Sequence, residues 1–74
     1  MDREFILEKI ATNIRVERVR KKYSQEKLAE MAGITTKYMN LIENAKTNPS
    51  ITIVINICDS LEIDLNKIYL NTEV

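Results

Sequence analysis

Ser24-Gln25-Glu26-Lys27-Leu28-Ala29-Glu30-Met31-Ala32-Gly33-Ile34-Thr35-Thr36-Lys37-Tyr38-Met39-Asn40-Leu41-Ile42-Glu43-Asn44-Ala45-Lys46 is the stretch that decides how this chain folds. Ser24 and Thr35 are helix-starting residues: a side-chain oxygen there accepts from the free N–H groups of the first turn. Between them stands Gly33, the one glycine of the chain, suited to the left-handed residue that ends a helix. The stretch predicts two short helices joined by a tight turn. The first offers Leu28, Ala29 and Met31 to a core. The second turns Met39 and Ile42 inward and leaves small polar and basic residues outside. A helix pair of this shape can lay its second member in a DNA major groove.

One glycine and one proline, Pro49, in 74 residues predict helices joined by tight turns throughout. Upstream, Phe5, Ile6, Ile10, Ile14 and Val19 are spaced mostly by four or five, which predicts helix 1 over residues 5–21. Downstream, Asn48-Pro49-Ser50 reads as a turn plus a cap. The next run, Ile51-Thr52-Ile53-Val54-Ile55-Asn56-Ile57-Cys58, poses a conflict. It is rich in β-branched residues and nearly alternates, so propensity alone says strand. A helix instead gathers Ile51, Val54, Cys58 and Leu61 on one face, and a lone strand finds no partner in an otherwise helical chain. The expectation is helix 4 from Ser50 to about Leu61. A short helix 5 follows, capped by Asp64 and running through Leu65, Ile68 and Tyr69. The fold class is all-α, a compact five-helix bundle in one domain spanning 1–74, with its motif at 24–44 and helices 4 and 5 at 50–70.

A chain of this length buries only about 60% of its unfolded surface and is marginal alone. Cys58 is the sole cysteine and histidine is absent, so no internal disulfide forms and a structural zinc site is not expected. Cys58 reads as a small core residue. No nucleophile–base pair and no Gly-rich phosphate loop is present, so the enzyme reading is rejected and no cofactor is implied. Oligomerisation is left as the source of extra stability. Helix 4 has surplus aliphatics in Ile53, Ile55 and Ile57. Together with Leu65, Ile68, Tyr69 and Leu70 they suggest a self-complementary homodimer patch, with Ile53, Leu65, Ile68 and Tyr69 as its expected residues. No apolar run is long enough to span a membrane, and Met1-Asp2-Arg3-Glu4 is no signal peptide. The chain reads as cytoplasmic.

Eleven basic and eleven acidic side chains give a net charge of zero. Their order is uneven. Residues 9–48 hold nine Lys/Arg against four acids, and the two ends hold two against seven. A basic middle attracts phosphate locally, because charges beyond about 10 Å are screened at moderate salt.

Ser24-Gln25-x-x-Leu28-Ala29, Gly33-Ile34, Ile42-Glu43-Asn44 and Asn48-Pro49-Ser50, in this order and at these spacings, resemble the Cro/phage-repressor (XRE-type) helix-turn-helix family with its lambda repressor-like domain. The likeness covers roughly residues 10–70, and the size resembles restriction–modification controller proteins and short prophage repressors. The resemblance implies a transcriptional regulator that binds double-stranded DNA, an operator with inverted repeats, as a homodimer. It implies that Gln25 grips a phosphate and braces the recognition helix. Thr35, Thr36, Lys37, Asn40 and Leu41 match its groove-facing positions, Tyr38 lies against the sugar–phosphate backbone, and Asn44 and Lys46 contact the backbone beyond it. Arg18 and Glu43 match a partly buried ion pair between helices 1 and 3. Three departures stand out. Ala45 and Lys22 occupy positions where the family often has glycine, and Leu41 stands where a polar base reader is common. Leu41 can touch a thymine methyl but reads no donor–acceptor pattern. With no sensor domain, no small-molecule effector is implied. The competing reading is a protein-interaction module, an antitoxin or regulatory partner built on the same fold.

Overall fold

A computed structural model describes residues 2–69. Five helices follow one another: α1 (Arg3–Arg20), α2 (Gln25–Ala32), α3 (Thr36–Glu43), α4 (Ile51–Leu61) and α5 (Leu65–Tyr69). Their starts are written in short polar side chains. Asp2, Ser24, Thr35 and Ser50 each accept from a backbone N–H of the helix that follows, and Asp64 Oδ1 accepts from Asn66 N–H at 2.9 Å. Each such cap contributes about 1 kcal/mol.

The first four helices end alike. A residue in the left-handed region follows the last turn, and the next N–H reaches back five residues: Tyr23 to Arg18, Ile34 to Ala29, Lys46 to Leu41 and Ile63 to Cys58, at 2.9–3.1 Å. Only one of the four left-handed residues is glycine. Gly33 has φ 75, while Lys22, Ala45 and Glu62 have φ 63, 57 and 58. Left-handed geometry costs a side-chain-bearing residue about 1 kcal/mol, so the chain carries that strain three times.

α2 packs chiefly against α4 and α3, and α1 against α5 and α3. The core joins Ile10, Ile14, Leu28, Ala29, Ala32, Met39, Ile42, Val54, Ile57, Cys58, Leu61 and Ile68. Four expectations need correction. Met31 is 40% exposed, and Ala32 takes its place because 28, 29 and 32 form the inward face. In α4 the buried set is Val54, Ile57, Cys58 and Leu61, whereas Ile51 at the helix start is 53% exposed. The helix is rotated by part of a turn from the expected facing, so Ile57 is core rather than surplus. In α1, Phe5 and Val19 face solvent, and two polar residues, Asn13 and Glu17, sit on the buried stripe instead. Ile68 is fully buried within its own protomer and cannot line a dimer surface. Leu70 lies outside the described residues.

Asn13 ties the two ends of the bundle. Its Nδ2 donates to the Ile68 carbonyl at 2.7 Å, one of the carbonyls a helix end leaves free. Its Oδ1 is buried with no partner among the described residues. Burial, followed by the charges of Asp59 and Asp64, pushes the Cys58 thiol up to about 11. The thiol stays protonated at neutral pH, in keeping with a packing role.

Candidate nucleic-acid interface

α3 has two faces. Met39 and Ile42 anchor it to the core, while Thr35, Thr36, Lys37 and Asn40 are exposed and Tyr38 and Leu41 half-buried. Thr36 and Asn40 are four residues apart, as are Lys37 and Leu41, so the two neighbouring pairs share one outward stripe. Asn44 and Lys46 follow on the exposed turn. Asn44 Nδ2 is already engaged, donating to the Asn40 carbonyl at 2.8 Å, so it closes the end of α3.

What holds this helix at its angle is a polar network beneath it. Glu43, the last residue of α3, is buried with its side chain 1% exposed. Its carboxylate accepts from Arg18 of α1 twice, Nε to Oε2 at 2.7 Å and Nη2 to Oε1 at 3.1 Å. The two-pronged pairing fixes orientation as well as attraction. Arg18 Nη1 also donates to the Tyr23 carbonyl at 2.7 Å, binding the turn before α2 into the same cluster. Gln25, first residue of α2, donates from Nε2 to Glu43 Oε1 at 3.2 Å. Its Oε1 in turn accepts from Asn40 Nδ2 at 3.2 Å. Arg18, Glu43, Gln25 and Asn40 thus form one connected chain from α1 to the exposed face of α3.

Arg15 joins them unannounced by any motif. Its Nη1 donates to the Glu43 carbonyl at 3.0 Å, placing a cation at the negative end of the α3 dipole. The three-residue step from Arg15 to Arg18, which puts both on one side of α1, was the signal that could have found it.

Charge is mixed differently in space than along the chain. Glu4 and Glu8 line the cleft that also holds Asn44, Ala45 and Lys46, so two acids of the N-terminal end stand beside the basic middle. Arg20 pairs with buried Glu17 at 3.1 Å, and Lys21 approaches Glu62 at 3.4 Å. Lys37 and Lys46 belong to none of the ion pairs found among the described residues. The expected dimer residues divide. Ile53, Leu65 and Tyr69 are half-buried, and only Ile68 is enclosed.

Known proteins fit this geometry. A family model described as Helix-turn-helix matches residues 14–68, and the chain belongs to that helix-turn-helix family. This is a class of DNA-binding transcription regulators, not of enzymes. The restriction–modification controller protein C.AhdI from Aeromonas hydrophila superposes with a TM-score of 0.83 at 27% identity, covering 85% of this chain and 96% of its own. The hypothetical transcription factor NHTF from Neisseria has a TM-score of 0.89 at 25% identity, covering 99% of this chain and 84% of its own. The clp gene regulator ClgR from Corynebacterium glutamicum, at 18% identity and a TM-score of 0.85 over 88% of this chain and 69% of its own, shares the fold. No curated protein sequence matches the chain. Among the described residues no helix is long and apolar enough to cross a membrane.

Proposed function

We propose that the protein regulates transcription in the cytoplasm by binding a palindromic operator as a homodimer, with α3 of each protomer in the major groove. The observation that carries this reading is the exposed polar stripe of α3, fixed from below by the Arg18–Glu43–Gln25 cluster. A reading element must be both exposed and held still. Thr36, Lys37 and Asn40 are the base- or phosphate-reading residues, and Leu41 offers an apolar contact to a thymine methyl. Thr35, the exposed cap of α3, faces the groove beside them, and Tyr38 lies against the sugar–phosphate backbone. Gln25, Asn44 and Lys46 bind phosphates and set register.

The dimer surface consists of Leu65 and Tyr69 of α5 with Ile53 of α4. Ile55 is 42% exposed and Ile51, one turn before it, 53%, on the opposite flank of α4. For both half-sites to be read at once, the two-fold pairing must hold the α3 helices about 34 Å apart, one turn of DNA. The likeness to a restriction–modification controller protein supports that role among regulators of this family.

The test is affinity for a selected operator and a scrambled duplex at two salt concentrations. Phosphate-driven binding weakens steeply as salt rises, whereas a protein-interaction module shows no duplex binding to weaken. Replacing Thr36, Lys37 and Asn40 together by alanine should abolish the preference for operator over scrambled DNA. An unchanged ratio would remove α3 as the reading element.

A further inference from the structure

The cluster under α3 has a direction, and that direction reaches the surface. Glu43 is a carboxylate clasped by a guanidinium, so it can only accept hydrogen bonds. Gln25 lies 3.2 Å from Glu43 Oε1. It must therefore present its amide nitrogen there, which leaves its oxygen facing Asn40. An oxygen can only accept, so Asn40 must turn its own nitrogen inward, as it does at 3.2 Å. One N–H of Asn40 is spent on this bond. What remains toward solvent is the Oδ1 acceptor and a single N–H. Each amide along the way would otherwise be free to sit either way round.

We propose that the buried Glu43, acting through Gln25, sets which way the Asn40 amide faces and so makes Asn40 select adenine over guanine. An acceptor beside one donor is the complement of adenine, which shows N6–H and N7 in the major groove. The reversed amide would show two N–H groups, the complement of guanine O6 and N7. Gln25 and Glu43 are here positioning residues. Neither touches the base, yet both determine what Asn40 offers it. The inference rests on the major-groove reading of α3 proposed above.

Two substitutions at position 25 separate this polarity from mere support. Gln25→Met fills the same space and forms no hydrogen bond, so Asn40 is released to face either way. Gln25→Lys donates to Glu43 and can only donate to Asn40, so the Asn40 oxygen is drawn inward and its two N–H groups face out. Both leave the Arg18–Glu43 pair in place, and Gln25 is only half-buried. Circular dichroism confirms that each variant is folded. The measurement is base preference, read by selecting bound duplexes from a random-sequence library.

Wild type should select adenine at one position of each half-site, and Asn40→Ala should flatten that position alone. Gln25→Met should lower the adenine-to-guanine ratio there by roughly tenfold, the scale of one bidentate contact. Gln25→Lys should invert it. A uniform change in affinity, from a lost phosphate contact or an added charge, leaves the ratio untouched. If folded Gln25→Met and Gln25→Lys both keep the wild-type ratio, the relay is wrong while DNA reading by α3 survives. If Asn40→Ala changes no position, Asn40 reads no base and the relay falls with it. If wild type selects no sequence, the proposed function itself is refuted.

Discussion

The α2–α3 half of the molecule and the α4–α5 half are built on different physics. α3 is located by directional bonds: a two-pronged ion pair, two side-chain amides and a capped carbonyl. α4 is located by shape alone, through Val54, Ile57, Cys58 and Leu61. Directional bonds tolerate little rotation. Aliphatic packing tolerates much more, because one isoleucine replaces another at small cost. The half proposed to read DNA is accordingly the one held by polar geometry. The half proposed to meet a second protomer is held mainly by aliphatic packing, with the Asn13–Ile68 bond as its directional tie.

The sharpest way to break this contrast is at Glu43. Glu43→Ala leaves the Arg18 guanidinium, itself only 14% exposed, without its partner, and should cost about 3–5 kcal/mol in urea unfolding. Replacing Arg18 and Glu43 together by apolar residues should cost less, since no charge is then stranded. Additive losses around the double-mutant cycle would mean that the ion pair carries no coupling.

The rotation of α4 gives the next effect. Ile57→Ala should lose about 2–4 kcal/mol, and Ile51→Ala well under 1 kcal/mol, by chemical denaturation. Equal losses would restore the facing expected from sequence. On the proposed dimer flank, Ile53→Glu and Tyr69→Glu, with folding checked by circular dichroism because both side chains also pack against the core, should shift sedimentation from dimer to monomer. If wild type sediments as a monomer at tens of micromolar, the homodimer is lost as an idea.

These tests touch the places where sequence reading succeeded and failed. The five helices and four of their caps could be read because each rests on a discrete residue at a fixed spacing, whereas the pairing of positions 18 and 43 rests on the family resemblance alone. The facing of α4 could not. When nearly every residue of a run is apolar, 51-54-58-61 and 54-57-58-61 satisfy helical periodicity equally well, and only the neighbouring helices choose. α1 misled in the opposite way. Asn13 and Glu17 occupy its buried stripe, so polar letters stand where the pattern leads one to expect apolar ones. In the candidate site, the outward stripe of α3 was legible. The link from Gln25 to Asn40 was not, because hydrogen bonds between elements leave no periodic trace.

Helix ends offer a smaller test. Ala45→Gly should raise stability by about 1 kcal/mol, since glycine adopts φ near 57 without strain. Gly33→Ala should lose a similar amount and no more, for a methyl group there meets no atom within 4 Å. A markedly larger loss would mean that Gly33 serves something besides its backbone angle. Smallest of all is Glu8→Gln, which removes a carboxylate from the cleft shared with Asn44 and Ala45. It should strengthen binding to every duplex by a factor of about two at low salt, fading as salt rises. A change confined to operator DNA would assign Glu8 a different role.

Asn13 meets Ile68 across 55 positions of chain, and that span has a consequence for synthesis. While the protein is being made, α1 through α4 can emerge and begin to assemble, yet the amide of Asn13 lacks the Ile68 carbonyl until α5 leaves the ribosome. Until then its polar head faces a gap in the half-built core. Docking of α5 is therefore needed to give this amide its acceptor, and a truncated product ending before Ile68 keeps an unpaired polar group at an open core, the kind of exposed surface that quality-control proteases can recognise. Translation through α5 supplies both the acceptor for Asn13 and, in Ile68, a further member of the core cluster.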